Sequence, residues 1–256
     1  MSRTIAIANQ KGGVGKTTMA VNLGAALAEG DAAVLLVDLD PRADLSGYLG
    51  IRLPAAGTSV YHALFDESVD MAEVIVETSW AGLEVAPATI DLAGAEMVMM
   101  DRPADQRHVM VADALKSLQK RYDYVIMDTP PGLQLLSIAA LVAAGEVLVP
   151  QQCSFLALHG LRQLTESVER IQAELNPLLR ICGIVMTMQD RRTVHNRQVI
   201  EMVREGFGEL VMDTVIPTAI RVQEAAAAGE PITAYDPSSP AAVAYRELAK
   251  EVIARA

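Results

Sequence analysis

The fold of this chain is decided near its start, by the stretch Thr4–Thr18, which reads TIAIANQKGGVGKTT. The apolar run Thr4–Ala8 predicts a strand that leads into a glycine-rich loop, and a helix is predicted to begin near Lys16. Glycines let backbone N–H groups converge on an anion, and the start of a helix adds partial positive charge. The stretch therefore predicts a phosphate-binding loop, in which Lys16 reaches the β- and γ-phosphates of a nucleotide and the Thr17 hydroxyl ligates Mg²⁺.

The loop departs from the generic motif G-x-x-x-x-G-K-[ST], because Gln10 stands at the first glycine position. A second lysine, Lys11, follows it and precedes a glycine pair. A cation this early in the loop is poorly placed to duplicate Lys16 within one site. One geometric solution is that Lys11 serves a phosphate on a facing subunit, and the alternative is a solvated loop lysine.

Along the rest of the chain, short apolar runs alternate with longer stretches of helical spacing. Most runs are continuous Val, Ile and Leu, which is typical of strands covered on both faces. The alternation predicts an α/β fold with a doubly wound, mostly parallel sheet flanked by helices, and we expect one domain over residues 1–256. The predicted strands are Thr4–Ala8, Ala33–Val37, Leu83–Ala86, Tyr124–Met127, Glu146–Val149, Ile181–Met186 and Val211–Ile216. The predicted helices are Thr17–Glu29, Asp105–Lys120, Leu158–Leu175, Val194–Gly206 and Ala241–Ala256.

Acidic residues follow two of the predicted strands. Asp38 and Asp40 end one, and Asp128 ends another. In parallel sheets ligands bind at the carboxyl ends of the strands, and an acid there, beside a phosphate loop, holds Mg²⁺ directly or through water. The alternative is that each acid caps the turn or helix that follows it.

The loop resembles the deviant Walker A motif of the ParA/MinD class of dimeric ATPases, which are P-loop NTPases. Further segments extend the resemblance over nearly the whole chain, to the small chromosome-type ParA (Soj) branch. It implies a dimer that sandwiches two ATP molecules with Mg²⁺ at its interface. The further matching segments are residues 34–41, 87–96, 122–131, 229–232 and 235–237.

The resemblance also implies a role for individual residues. Lys11, Lys16 and Asp40 are the implied catalytic residues: Lys11 reaches the partner's phosphates, and Asp40 positions the hydrolytic water. Thr17 binds the metal, and Asp38 and Asp128 complete its shell through water. The implied nucleotide-binding residues are Lys11, Gly12, Gly13, Val14, Gly15, Lys16, Thr17, Thr18 and Pro217.

The function implied by the resemblance is chromosome or plasmid segregation. Such a protein hydrolyses ATP slowly, binds double-stranded DNA non-specifically as an ATP-bound homodimer, and is stimulated by a ParB-type partner. We expect it in the cytoplasm, associated with the nucleoid and with no membrane partner. The alternatives are a ParA-like ATPase that positions another cargo, and a MinD-like ATPase that positions itself on membranes.

Two departures from the family pattern concern the site. Where the family usually has Gln-Gly-Asn after Asp-Pro, this chain has Arg42, Ala43 and Asp44. This segment flanks Asp40, so the hydrolysis rate or the switch is expected to differ. After Pro217 an arginine is common in the family, and this chain has Thr218 instead, so a basic contact at this position is not expected.

Net charge bears on the DNA prediction. The chain carries a formal charge of −11, which excludes a protein that binds nucleic acid through a positively charged surface all round. Phosphate contact is local, however, and residues 180–204 form a basic window. Arg192 and Arg221 fall where the family places its DNA-contacting arginines, and Arg191 and Arg197 are further candidates. The alternative is a solvated arginine surface.

The phosphate loop begins within the first dozen residues, so we expect no N-terminal helix-turn-helix domain.

Three other classes of protein are disfavoured by the sequence. The first is a membrane protein. No run reaches the roughly 18 apolar residues that span a membrane, and the predicted C-terminal helix carries acidic as well as basic residues, which is unlike a membrane-binding helix. A nitrogenase-type iron protein needs cysteines near Asp128, whereas Cys153 and Cys182 lie in apolar runs elsewhere. A ligase or synthetase would need a further substrate pocket, for which the sequence offers no residues.

Overall fold

The computed structural model describes residues 2–51, 53, 57–118, 120–154, 157–190 and 192–255, with the side chains of residues 157–159 left aside. Within these residues eight strands form one sheet. Seven of them confirm the predicted strands to within a few residues. The strands are β1 Arg3–Ile7, β2 Val34–Asp38, β3 Val76–Glu77, β4 Leu83–Ala86, β5 Tyr124–Asp128, β6 Glu146–Gln152, β7 Arg180–Gln189 and β8 Val211–Pro217.

The sheet is parallel apart from its short edge strand. Its order is β3-β4-β2-β5-β1-β6-β7-β8, and only β3 pairs antiparallel. β1 lies between β5 and β6, and the register places Asp128 beside both Ile7 on β1 and Asp38 on β2. The predicted doubly wound α/β sheet is confirmed. Its topology brings the phosphate loop, Asp38 and Asp128 together at the carboxyl ends of neighbouring strands.

Helices cover both faces of the sheet. Few exceed ten residues, and none of the described helices has the length and apolar character that crossing a membrane requires. The α-helices are α1 Lys16–Ala28, α2 Asp44–Tyr48, α3 Val60–Phe65, α4 Met71–Val74, α5 Ala95–Met100, α6 Ala104–Arg107, α7 Met110–Ala114, α8 Leu135–Ala143, α9 Ala157–Glu174, α10 Val194–Phe207, α11 Ile220–Ala228, α12 Ile232–Tyr235 and α13 Pro240–Ala254.

Alternate residues of each buried strand supply two separate cores. On β2, Leu35 and Val37 pack into the core shared with α8 and α9, whereas Val34 and Leu36 pack against α1 and α13. Because side chains alternate across a strand, a continuous apolar run serves both faces at once. This is the physical reason why the strands read as unbroken Val, Ile and Leu.

One predicted helix is wrong. Asp105–Lys120 is divided into α6, α7 and a 3-10 turn at Lys116–Leu118. Its buried residues all lie at or after Met110, and α6 has none, so no continuous apolar stripe holds the segment on one axis. The helices α8 and α11 were not predicted, because both lie in Ala-rich stretches without a clear polar face.

Candidate nucleotide site

The phosphate loop owes its glycines to backbone conformation. Gly13 and Gly15 have φ angles of +73° and +93°, in the left-handed region that side chains disfavour. An added Cβ at either residue would meet nothing within 4 Å, so lack of space is not the reason for glycine. Gly15 is the N-cap of α1, which starts at Lys16 as predicted. The loop therefore presents a helix N-terminus to an open cavity, where an anion is favoured.

Two hydrogen bonds hold the loop in place from other parts of the fold. The Thr187 hydroxyl, on β7, donates to the carbonyl of Val14 at 2.9 Å. The backbone N–H of Gly132, in the loop after β5, donates to the carbonyl of Gln10 at 3.2 Å. Sequence reasoning missed Thr187, because nothing in a strand residue's neighbours shows which distant loop it contacts.

Lys16 and Asp128 are both buried, and the side chain of Lys16 lines this cavity. Lys16 is 6% exposed, and burial lowers its pKa, opposed by the charges of Asp128 and Asp40. Burial, and after it the charge of Asp38, holds the pKa of Asp128 well above its usual range. Neither carboxylate oxygen of Asp128 has a hydrogen-bond partner of normal geometry. A buried carboxylate in this condition is stabilised by a cation.

Asp38 has a different environment, although it is equally buried. Its Oδ2 accepts from the backbone N–H and the hydroxyl of Ser46, at 3.0 and 2.7 Å, and its Oδ1 accepts from the N–H of Asp40 at 3.2 Å. Burial nevertheless raises its pKa to about 6. Asp38 thus ties the start of α2 to the end of β2. Ser46 was missed, because its importance depends on a contact eight residues away.

Asp40 is buried as well, and its carboxylate is held by Arg42. Oδ1 accepts from the backbone N–H of Arg42 at 3.0 Å, and Nη2 of Arg42 lies 3.4 Å from Oδ2. The same guanidinium lies 3.0 Å from Oδ2 of Asp44. Residue 42 belongs to one of the two segments in which the sequence departs from the family pattern beside the site.

The residues at this edge of the sheet fit a magnesium ion. The unpartnered oxygens of Asp128 are hard anionic donors, and the hydroxyl of Thr17 lies close enough to lower the pKa of Asp128. Thr17, Asp38 and Asp128, the three predicted metal residues, therefore lie on adjacent elements. Of these, Asp128 has both oxygens free to accept, whereas those of Asp38 already serve the protein.

Two adjoining cavities open beside the loop. The first, which we call the phosphate cavity, measures about 740 Å³ and is lined by Lys16, Thr17 and Arg42, among others. The second, which we call the Pro217 cavity, measures about 400 Å³ and is lined by Pro217 together with loop residues. Gly15 and Thr18 line both, so the structure brings the predicted residue Pro217 next to the phosphate loop.

Met188 lines both cavities too and was not predicted. Its φ angle of +55° is uncommon for a residue with a side chain, and the pairing of β7 with β8 is irregular at this point. Strained backbone of this kind concentrates at ligand sites. The sequence carries no signal for it, because methionine is not a residue that favours this conformation.

Lys11 lies on the exposed side of the loop. Its ammonium Nζ donates to Oε1 of Gln152, at the end of β6, over 3.2 Å, and its backbone N–H donates to Oδ1 of Asn9. The interaction with Gln152 is exposed, in contrast to the buried position of Lys16. The two lysines of the loop therefore occupy different environments.

Arg192 and Arg221, the predicted DNA contacts, line one cavity of about 700 Å³, which we call the arginine groove. Both already have acidic partners: Arg192 pairs with Asp190 at 3.1 Å, and Arg221 pairs with Glu224 at 2.8 Å. Arg197 is exposed on α10. Arg191 lies outside the described residues.

The basic window of residues 180–204 is not one surface. Arg180 starts β7, where it pairs with Glu146, and it lines a cavity with Arg204. Arg192 follows the opposite end of the same strand, ten residues long. Summing charge along the chain overstates the local positive charge, because a strand separates its two ends in space.

Comparison with known proteins agrees with this geometry. Residues 2–181 match the family model AAA_31, described as an AAA domain. The chain is 47% identical to the sporulation initiation inhibitor protein Soj of Bacillus subtilis, over 99% of both chains. It is 45% identical to the chromosome partitioning protein ParA of Caulobacter vibrioides, over 99% of this chain and 94% of that protein.

A solved structure shows the same fold. The crystal structure of cobyrinic acid a,c-diamide synthase from Mycobacterium smegmatis with bound ATP analog and magnesium has a TM-score of 0.86 to this chain, at 37% identity, covering 98% of this chain and 93% of that chain. Three findings lead to one conclusion: the glycine loop, the acidic residues at the strand ends, and the 45–47% identity to Soj and ParA over nearly the full length of the chain. This chain belongs to the ParA/Soj family of deviant Walker A ATPases.

Proposed function

We propose that this protein binds ATP with Mg²⁺ and hydrolyses it as a molecular switch. The observation that carries the proposal is that buried Lys16 and buried Asp128, whose carboxylate oxygens lack a hydrogen-bond partner of normal geometry, influence each other's charge beside a glycine loop. Lys16 and the loop N–H groups would bind the β- and γ-phosphates, and Thr17 and Asp128 would hold Mg²⁺. Bound Mg²⁺ would supply positive charge that offsets the charge of the phosphates, and Asp40 would orient the attacking water. The bound ATP analog and magnesium in the similar synthase support this assignment.

ATP would also drive pairing of two copies. Lys11 is exposed within the loop, and its ammonium donates to the neutral side-chain amide of Gln152. A second triphosphate facing it would offer a stronger, charged partner than this neutral amide. Each copy would thus contribute one cation to the other copy's nucleotide, and the charge repulsion between the two triphosphates would be offset across the interface.

Sedimentation with and without a non-hydrolysable ATP analogue tests the switch. We expect a monomer without nucleotide and a dimer with the analogue. Lys16→Ala should abolish both nucleotide binding and pairing, whereas Lys11→Ala should keep binding and lose pairing. Asp40→Ala should pair with ATP itself and stay paired, because hydrolysis no longer releases it. If none of these substitutions alters self-association, the switch proposal is wrong.

The biological role that we propose is segregation of a chromosome or plasmid, and the names of the similar proteins Soj and ParA support it. The ATP-bound dimer would bind double-stranded DNA non-specifically in the cytoplasm, at the nucleoid. A ParB-type partner would stimulate slow ATP hydrolysis and so release the dimer. Measuring ATP turnover with DNA, with a ParB-type protein and with both tests this, and equal rates in all three would contradict it.

The C-terminal helix α13 favours this role over a membrane-positioning one. Tyr245, Leu248 and Val252 on α13 are buried, and the helix packs against α1 and β8. A membrane-binding helix would need that apolar face to be available to lipid. Liposome flotation with ATP distinguishes the two roles, and we expect no flotation.

A further inference from the structure

Arg42 extends the phosphate cavity with a charge that the family pattern does not supply. Its side chain is 63% exposed, whereas the side chain of Asp40, to which it is bonded, is 4% exposed. Arg42 lines the cavity together with Lys16 and Thr17. One side of the guanidinium therefore contacts Asp40 and Asp44, and the remainder of the side chain is accessible from the space that would hold phosphates.

Two positively charged side chains, Arg42 and Lys16, line the phosphate cavity. The charge of Arg42 contributes to lowering the pKa of Lys16, so the two groups interact electrostatically across the cavity. Asp40 is the largest cause of the raised pKa of Arg42, and Asp44 and Asp128 add to it. A guanidinium held by carboxylates in an open cavity can exchange them for phosphate oxygens, because its planar fork fits both.

We propose that Arg42 is a specificity-determining residue, which distinguishes a nucleoside triphosphate from a diphosphate. Without nucleotide its guanidinium is bonded to Asp40 and Asp44. In the triphosphate complex it leaves these carboxylates and binds an oxygen of the terminal phosphate, which a diphosphate lacks. The inference rests on the proposed function, since it assumes that ATP occupies the phosphate cavity.

The exchange has a consequence for Asp40. When Arg42 moves to the phosphate, Oδ2 of Asp40 loses the guanidinium, while Oδ1 keeps the backbone N–H of Arg42. The carboxylate would then be free to accept a hydrogen bond from water only when a terminal phosphate is present. Binding of the correct nucleotide and readiness of Asp40 are thereby linked through one side chain.

Calorimetric titration with Mg²⁺ and either ADP or the β,γ-imido analogue of ATP tests the inference. In Arg42→Gln, the affinity for the ATP analogue divided by the affinity for ADP should fall by about tenfold. This is the loss expected for one charge-assisted hydrogen bond at a partly exposed site. Affinity for ADP should stay within about twofold of the unsubstituted protein. Arg42→Glu should lower the ratio further, because its charge repels the terminal phosphate.

Arg121→Gln is the matched control. The side chain of Arg121 is 49% exposed, and its Nη2 lies 2.9 Å from Oε2 of Glu84, so the substitution removes a comparable ion pair away from the cavity, and the affinity ratio should not change. An unchanged ratio in Arg42→Gln, or equal losses for both nucleotides, would overturn the inference. If the unsubstituted protein bound neither nucleotide, the proposed function itself would be wrong.

Discussion

Asp38, Asp40 and Asp128 are the same residue type at one edge of the sheet, but their surroundings separate them. Asp38 accepts three hydrogen bonds from its own chain, Asp40 is paired with Arg42, and Asp128 has no partner of normal geometry. An unsatisfied buried carboxylate lowers the stability of the fold. Such a cost at a functional site is compensated when the ligand binds.

Replacing Asp128 should therefore stabilise the protein without ligands. We expect Asp128→Asn to raise the free energy of unfolding by about 1–3 kcal/mol at pH 8, because a buried charge that repels Asp38 and Asp40 is removed. The gain in melting temperature on adding ATP with Mg²⁺ should largely disappear. Urea denaturation and thermal melts measure the two effects. A ligand-free variant less stable than the original protein would contradict this account.

Asp38 should make stability depend on pH. Its pKa is about 6 in the folded protein, against 3.8 for an ordinary aspartate. Between these values the folded chain binds a proton that the unfolded chain has released, so the free energy of unfolding falls as pH rises from about 4 through 6. The shift corresponds to roughly 3 kcal/mol.

Comparison with Asp38→Asn isolates this effect. The variant loses the titrating group, so the stability advantage of the unsubstituted protein over it should shrink as pH increases from about 4 to 7. Urea unfolding at a series of pH values measures the difference. A constant difference across this range would show that Asp38 is not the group responsible.

At the scale of elements, the unit β1–loop–α1 was predictable as a whole, because its strand, glycines and helix start agree with one another. Its packing was not predictable. At Gly24, in the middle of α1, an added Cβ would lie 2.7 Å from Cδ2 of Leu36 on β2. The helix therefore approaches the sheet so closely that an added methyl group at residue 24 would require the buried side chain of Leu36 to shift.

Gly24→Ala should destabilise the protein despite alanine's higher helix propensity. We expect the free energy of unfolding to fall by about 1–3 kcal/mol, because overpacking of a buried contact outweighs the propensity gain of about 1 kcal/mol. Gly206→Ala is the control, since Gly206 lies in α10 with nothing within 4 Å of an added Cβ. Urea denaturation should show Gly206→Ala unchanged or stabilised, and equal effects at the two positions would refute the packing argument.

At the scale of the whole molecule, the fold brings Arg192 and Arg221 together from different elements to line the arginine groove. Each arginine is paired with an acid, Asp190 or Glu224, so the groove carries no excess positive charge while those pairs persist. Exposed ion pairs of this kind contribute little to stability, so under the proposed function DNA phosphates would replace the acids at small cost.

The double substitution Arg192→Glu, Arg221→Glu should abolish ATP-dependent binding to duplex DNA. The control, Arg162→Glu with Arg170→Glu, changes net charge equally on exposed positions of α9 and should bind normally. Binding by the unsubstituted protein should decrease steeply with salt, because phosphate contacts release counterions. Fluorescence anisotropy at several salt concentrations measures both, and equal losses in the two double variants would remove the arginine groove from the DNA site.

Local sequence alone determined the class of the fold and the identity of the phosphate loop. Both depend on contiguous signals: glycines that permit φ angles of +73° and +93°, a helix start at Lys16, and apolar runs that serve two faces. Those signals act over a few neighbouring residues, so they can be read without tertiary contacts.

Tertiary structure decided everything that depends on which distant groups meet. It left the oxygens of Asp128 without a hydrogen-bond partner of normal geometry while Ser46 donated to Oδ2 of Asp38, and it tied Thr187 to the loop. It also separated Arg180 from Arg192 by the length of β7. The physical reason is that burial, hydrogen bonding and charge act through space, and the folded path of the chain sets those distances.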